Sequence, residues 1–575
     1  MHRLVPILLL ACLGAACAER AAEPAAEADR PASPELARLV DEYFDAAFEY
    51  APTRATEAGI HDYDGRIEDL SAAAFEARAE RLHHFLESLE ALDPATFSFD
   101  DRIDAQMIEN DIRSQLLDIE VIETWKNPML YAGMPGYAIG SLIKRDFAPA
   151  SERLASVASR LEGVPAVYEA ARLNLANPPK EFTDLAIRMS GGSAGYFEGT
   201  VAEWAREAAG SDRALLERFT AANEKAVSAT RSFHRWLQDD LLPRSNGRFA
   251  IGAEAFARKL AWDEMIEAPL DLVLARGEAR LARDYDALVE VARKIDPDSS
   301  PREVLARLES EHPSAEELVP AVRRTVDLAR RFVEERGIAT IPSPVPPRVE
   351  ETPPYARAGG FASMDTPGPF ETNATEAYYY VTPVEEEWSP EHKEEHLSLF
   401  NPWVVAMINV HEAYPGHYLQ FLYAPRFPTK TRKLLYCGTN VEGWAHYSEQ
   451  MMVDEGFGGD DPRYRLAQLQ EALLRDVRYV AGIRLHTQGW TVEQAAKLFE
   501  EKAFQQPANA YEEARRGAYN PTYLYYTLGK LDILDLRDEY MKRKGASLRE
   551  FHDAFVAQGG LPIPLIRQIL FREES

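Results

Sequence analysis

The stretch WVVAMINVHEAYPGHYLQ, residues 403–420, carries the strongest statement about fold and chemistry in this chain. Residues 403–410 are apolar nearly all round, the composition of a helix with no solvent-facing side. His411 and Glu412 follow, and both are costly to bury unless something compensates their polarity. A bound cation is the economical compensation. A zinc-binding helix reads H-E-x-x-H, with its histidines four residues apart on one face. Here position 415 is proline, and the next histidine is His417. Six residues turn a regular helix through about 600°, which leaves His417 roughly 240° round from His411. Pro415 breaks the helix, however, and Gly416 permits backbone conformations closed to other residues. The two extra residues can therefore loop out and return His417 to the side of His411. Spacing alone leaves two readings open, a metal site and a buried, hydrogen-bonded histidine pair.

A further ligand must come from His, Asp or Glu, because Cys437 is the only cysteine beyond the N-terminal segment. NVEGWAHYSEQMM (440–452) places Glu442, His446 and Glu449 at steps of four and three, one face of a helix. Trp444, Ala445, Tyr447, Met451 and Met452 form its apolar remainder. Alone, Glu442 would read as part of a solvated acidic face. With His411, Glu412 and His417 just upstream, ligation is the better reading.

Away from this centre the chain reads as mainly α. From Leu274 the apolar positions Leu281, Tyr285, Leu288, Ala292 and Ile295 recur mostly at steps of three and four. Similar spacing marks 36–50, 72–92, 101–123, 151–175, 213–240 and 302–335, with mixed charge on the polar faces. The pattern stops at 339–373, where proline and glycine are too dense for a helix. AYYYVTPV (377–384) then has strand composition. The expected organisation is a helical N-terminal lobe (36–338), a Pro/Gly-rich connector with short strands (339–387) and a helical C-terminal lobe (388–575) carrying the chemistry. The two lobes are expected to form one body.

MHRLVPILLLACLGAAC (1–17) has a basic start, an apolar stretch and small residues before Cys17. It reads as an export signal, too short for a membrane span. Lipid attachment at Cys17 is the expectation; Cys12 and plain cleavage near Ala16 are the alternatives. Residues 18–35, rich in Ala, Glu and Pro, read as a flexible tether. The expected location is the periplasm-facing cell envelope. No later run reaches transmembrane length, so membrane contact is expected only through that anchor. A formal charge of −29 argues against nucleic acid and anionic membrane surfaces as partners.

HEAYPGHYLQ followed by EGWAHYSEQ resembles the bacterial family called domain of unknown function 885, whose members are often exported lipoproteins. APTRATEAGIHDYDGRIEDLS (51–71) and RGAYNPTYLYYTLGKLDIL (516–534) resemble its N- and C-terminal signatures. That family is similar in turn to helical gluzincin-type zinc peptidases. The resemblance implies a large zincin-like helical bundle with a deep central channel and a short sheet beside the metal. It implies Zn2+ held by His411, His417 and Glu442, with Glu412 as general base. His446 or Glu449 would orient a ligand by hydrogen bonding. The motif is two residues longer than the compact H-E-x-x-H of ordinary gluzincins.

The function so implied is a zinc metallopeptidase acting on peptide substrates, with Glu412 taking the proton of the attacking water. Tyr526 is the candidate donor to the developing oxyanion, because YTLG (526–529) matches the family's tyrosine three before a glycine. TYLYY can equally be core. Arg516 is a candidate for a substrate carboxylate, with a surface salt bridge as the alternative. Tyr380 belongs to a strand that can pair with an extended peptide by edge addition. HKEEH (392–396) fits the inverted zinc motif H-x-x-E-H through His392 and His396, but its surroundings are those of a solvated charged helix. His83, His84 and His234 read as interface or surface residues, and His61 and Asp62 have no chemical role assigned by sequence. The rival function is a non-catalytic envelope lipoprotein that binds peptides or other ligands and keeps metal as a staple. An esterase or amidase using the same zinc water is a third reading. No G-x-S-x-G elbow supports a serine mechanism.

Overall fold

The computed structural model describes residues 32–354, 356–357 and 360–572. The expected export signal, Cys17 and most of the tether lie outside the described residues. Among the described residues no helix is long and apolar enough to cross a membrane.

The protein is mainly helical with one small sheet. The helices begin where short polar side chains can take a free backbone N–H. Ser33 caps Pro34–Tyr50, Ser71 caps Ala72–Glu90, and Ser98 forms a capping box with Asp101 on Phe99–Leu116. Leu270–Ile295 buries Leu281, Leu288 and Ala292, the stripe that its spacing predicts. The single helix expected over 302–335 is two, Pro301–Glu309 and Leu318–Arg336. Pro313 separates them, since it lacks an N–H and restricts the residue before it. Two other expected helices run into π turns, at Leu117–Val121 and Leu237–Leu241.

Among the described residues all the strands fall in the Pro/Gly-rich connector. β1 (Arg348–Glu351), β2 (Ala362–Asp365) and β3 (Tyr378–Val381) form a sheet of order β1-β3-β2. β3 pairs parallel with β1 and antiparallel with β2. This corrects the expectation for Tyr380: it faces Glu350 on one side and Ser363 on the other, so its strand is central. Both rows of β3 backbone groups are used within the sheet, and no peptide can add there. The edges belong to β1 and β2.

The largest core is shared across the connector. Leu36, Tyr43, Phe44, Leu82 and Ile112 belong to the same buried cluster as Phe400, Met407, Trp444 and Phe555. A second core, drawn from residues 70–241 with Ala374, packs other N-terminal helices, and a small third one joins Phe256, Leu260 and Val273 to Tyr479, Ile483, Leu524 and Leu528. The sheet leans on the motif helix through one specific bond: Tyr379 donates its hydroxyl proton to Asn409 Oδ1 at 2.7 Å, two residues before His411.

Candidate metal centre

The motif helix Pro402–Glu412 starts at Asn401, whose side chain accepts from Val404 N, with proline in the first turn. It is buried almost throughout, as its all-round apolar composition requires, and stops at Ala413. The chain then turns through Tyr414-Pro415-Gly416 and restarts as His417–Phe421. Gly416 N donates to Val410 O at 3.0 Å, folding the turn back on the helix. A Cβ at 416 would lie 1.8 Å from His411 O, so only glycine passes there. Pro415 O accepts from the indole Nε1 of Trp444 at 2.9 Å. The EGWAH tryptophan thus holds the turn between His411 and His417.

The turn brings the two histidines together. Their ring centroids lie 4.9 Å apart at 89°. The helix Gly438–Asp454 supplies the third group: Glu442 Oε2 lies 3.3 Å from His411 Nε2 and 3.4 Å from His417 Nε2. One ligand atom from each of His411, His417 and Glu442 lies within 4.8 Å of the others, the only such set of three among the described residues. Two imidazole nitrogens and one carboxylate oxygen that lie this close together are a donor set of the kind that can hold zinc. The residues fit the metal. Glu412, buried beside His411, has no hydrogen bond or ion pair on its carboxylate among the described residues, and its charge adds to burial in pushing the Tyr379 hydroxyl up.

The histidines are supported unequally. His411 Nδ1 lies 2.7 Å from Glu449 Oε1, so it donates there and leaves Nε2 for the site. Burial disfavours the Glu449 charge, but the Arg475 charge and the hydrogen bonds from His411 and His446 outweigh it and hold the carboxyl well below its usual range. His417 Nδ1 is buried without a hydrogen-bond partner among the described residues. Its ring is held by Phe421, stacked at 6.0 Å.

Tyr526 lies beside His411, its ring 6.3 Å away. Its oxygen accepts from Arg516 Nη2 at 3.0 Å, which leaves its own proton free to donate. Burial is the main reason the hydroxyl is raised; Glu442 adds to this and Arg516 opposes it. Arg516 is therefore not a surface salt bridge but part of the wall beside Tyr526. Glu442 faces a cavity of about 330 Å³ whose lining includes Ser114, Trp262, Tyr436 and Tyr525.

The inverted motif at 392–396 does not assemble. His392 is exposed and stacks on Trp388 at 4.2 Å, while His396 is buried with Nε2 donating to Thr382 O at 2.8 Å. His83 meets Glu120 at 2.8 Å and His234 meets Ser190 Oγ at 3.0 Å, both away from the centre.

Two residues that the sequence did not single out belong to the surroundings. Glu264 accepts from Gly438 N (3.0 Å), Thr439 N (2.8 Å) and Thr439 Oγ1, capping the helix that carries Glu442. Burial pushes its carboxyl up to about 7 against those bonds. Nothing in AWDEM betrays this, because the partner helix is remote in sequence. Lys530 is fully buried with Nζ 3.4 Å from His446 Nε2. A lysine inside the apolar run YLYYTLGKLDIL was the available signal.

This is a helical protein in which two buried histidines and a half-buried glutamate meet at the end of a broken H-E motif. The chain belongs to the family of bacterial proteins of unknown function called DUF885, whose model matches residues 52–570. No curated protein matches it. Among solved structures it is similar to a protein of unknown function from Shewanella oneidensis, provisionally classed as a lipoprotein. The two share 28% identity over 94% of this chain and 100% of that one, with TM-score 0.76. A second, from Colwellia psychrerythraea and also provisionally classed as a lipoprotein, shares the fold: 19% identity over 94% and 98% of the two chains, TM-score 0.78.

Proposed function

We propose that this protein is a zinc-dependent peptidase of the cell envelope, with His411, His417 and Glu442 as metal ligands. The observation that carries the reading is the convergence of those three side chains on one point beside an unengaged Glu412. The signal-like N-terminus and the lipoprotein assignments of the two similar structures support an exported, lipid-anchored location.

Zinc at this position would supply Lewis acidity and lower the pKa of a water towards neutrality. Glu412 accepts the proton of the attacking water and returns it to the departing amine, so the peptide bond and one water become an acid and an amine. Tyr526 donates its hydroxyl proton to the carbonyl oxygen as charge develops there, and Arg516 keeps that hydroxyl aimed by donating to its oxygen. Glu449 keeps His411 in the tautomer that leaves Nε2 as a ligand. The cavity beyond Glu442 gives the chain on one side of the scissile bond a place to lie.

The test is cleavage of a mixed peptide library by the zinc-loaded protein beside Glu412→Gln. The expected result is cleavage by the wild type and a loss of at least about 100-fold in the variant with its zinc retained. Equal cleavage by both would remove Glu412 from its role. No cleavage by a zinc-loaded wild type would favour the ligand-binding reading over the peptidase.

A further inference from the structure

Behind His411 lies a file of buried polar groups that the proposed reaction leaves largely unused. Glu449 and His446 sit one turn apart on the ligand helix, and both are fully buried. Glu449 Oε1 takes His411 Nδ1, and Glu449 Oε2 lies 3.3 Å from His446 Nδ1. The other nitrogen of His446, Nε2, lies 3.4 Å from Lys530 Nζ on the helix Tyr525–Lys544. The ammonium can come this deep because two glycines bring the helices together. A Cβ on Gly443 would lie 2.7 Å from the Gly529 backbone, and one on Gly529 would lie 1.9 Å from Thr439 O. The glycines of the EGWAH and YTLGK motifs thus serve a single close crossing, with Lys530 next to it.

The donors and acceptors in this file admit one self-consistent order. Glu449 accepts on Oε1 from His411 and has Arg475 Nη2 3.8 Å from the same oxygen, so it is the carboxylate, an acceptor on both oxygens. His446 must then donate from Nδ1. An imidazolium would set a second N–H against the Lys530 ammonium, so Nε2 carries the lone pair and accepts from Lys530. Burial and the neighbouring Lys530 charge both disfavour the imidazolium, which agrees with a neutral His446. Burial and then Arg280 work against the Lys530 charge and bring its pKa down to about 8, against the pull of Asp284, Asp476 and Glu449, so the ammonium remains the main form at pH 7.

We propose that Lys530 is a positioning residue for the metal centre: by donating to His446 it fixes the Nδ1–H tautomer that orients Glu449 for His411. The proposal rests on the zinc reading for its consequence but not for its geometry. Lys530 touches no ligand and acts at two removes. Without it His446 is free to turn its N–H outward, Glu449 loses a donor on Oε2, and His411 loses its fixed aim.

The first measurement is made on metal-free wild-type protein with 15N-labelled histidine, where ring-nitrogen shifts report tautomers directly. His446 is expected as a neutral Nδ1–H tautomer; an Nε2–H tautomer or an imidazolium overturns the proposal, whether or not the protein binds zinc. The second is zinc affinity, by competition with a chelator, in a cycle of Lys530→Met and His446→Asn. Asparagine can offer its amide N–H near the position of Nδ1 but has no atom for Lys530 to meet. Lys530→Met is expected to weaken zinc about tenfold in the wild-type background and by under about threefold beside His446→Asn. Equal losses in both backgrounds would make Lys530 a merely structural charge and overturn the proposal. If no variant binds zinc, the peptidase reading fails, and the tautomer of His446 still decides this one.

Discussion

At residue 416 the fate of the whole motif turns on one missing methyl group. The Pro-Gly pair was visible in the sequence as a device that can return His417 to His411, but sequence supplied no reason for it to do so. The structure supplies the reason in the backbone bond to Val410 O and the Trp444 indole on Pro415 O. Gly416→Ala would put its Cβ 1.8 Å from His411 O. We expect it to lower stability by more than about 2 kcal/mol and to abolish zinc binding, read by chemical unfolding and chelator competition. Gly195→Ala, where nothing lies within 4 Å, is the control and should change stability by no more than about 1 kcal/mol. A harmless Gly416→Ala would mean the turn can relax, and that glycine is not what shapes it. Glu442 and Glu449 were legible as one helical face. Glu442 was read as a ligand and Glu449 as a possible orienting group; that Glu442 Oε2 lies against both histidines while Glu449 Oε1 meets His411 Nδ1 depends on how this helix is rotated against its neighbours.

Between elements, the connector is tied down by a residue to which sequence alone assigned no chemical role. His61 lies between two carboxylates, with Nδ1 3.0 Å from Asp64 and Nε2 3.1 Å from Glu371, and stacks on Phe147 at 4.0 Å. Phe370 N donates to Ala58 O beside it, so the 51–71 signature grips the segment that leads into β3. Burial works against the imidazolium, but the bonds to Asp64 and Glu371 outweigh it and raise His61 above its ordinary 6.5. The folded state therefore holds this proton more tightly than the unfolded chain. The stabilisation is complete below pH 6.5 and is lost as pH rises through the raised value. His61→Gln should be less stable than wild type by about 1 kcal/mol in mild acid, with the gap closing as pH rises, when urea midpoints are followed against pH. A gap that stays constant with pH would mean that the imidazole acts by shape and not by charge. The same scale limits what strand composition can tell: AYYYVTPV predicted β3, yet nothing local revealed that partners on both sides make it central.

Across the whole molecule, the connector divides the sequence without dividing the core. Helices from Pro34 to Leu116 pack in one cluster with Phe400, Met407, Trp444 and Phe555. The amphipathic periods showed that these helices each bury a face, and could not show against what. We expect the full chain to unfold in one cooperative transition by calorimetry and by circular dichroism. A fragment of residues 36–338 should bind a hydrophobic dye and lack a sharp transition, because its C-terminal partners are gone. Two separate transitions, or a well-folded fragment, would contradict a shared core. Zinc ligation by His411, His417 and Glu442, as proposed, is tested most directly by bound zinc per chain in the purified mature protein, measured beside His417→Ala and His392→Ala. Zinc at unit stoichiometry in the wild type and in His392→Ala, with its loss in His417→Ala, is the expected result. A wild type that holds no zinc when supplied with it, or a loss in His392→Ala instead, would contradict it.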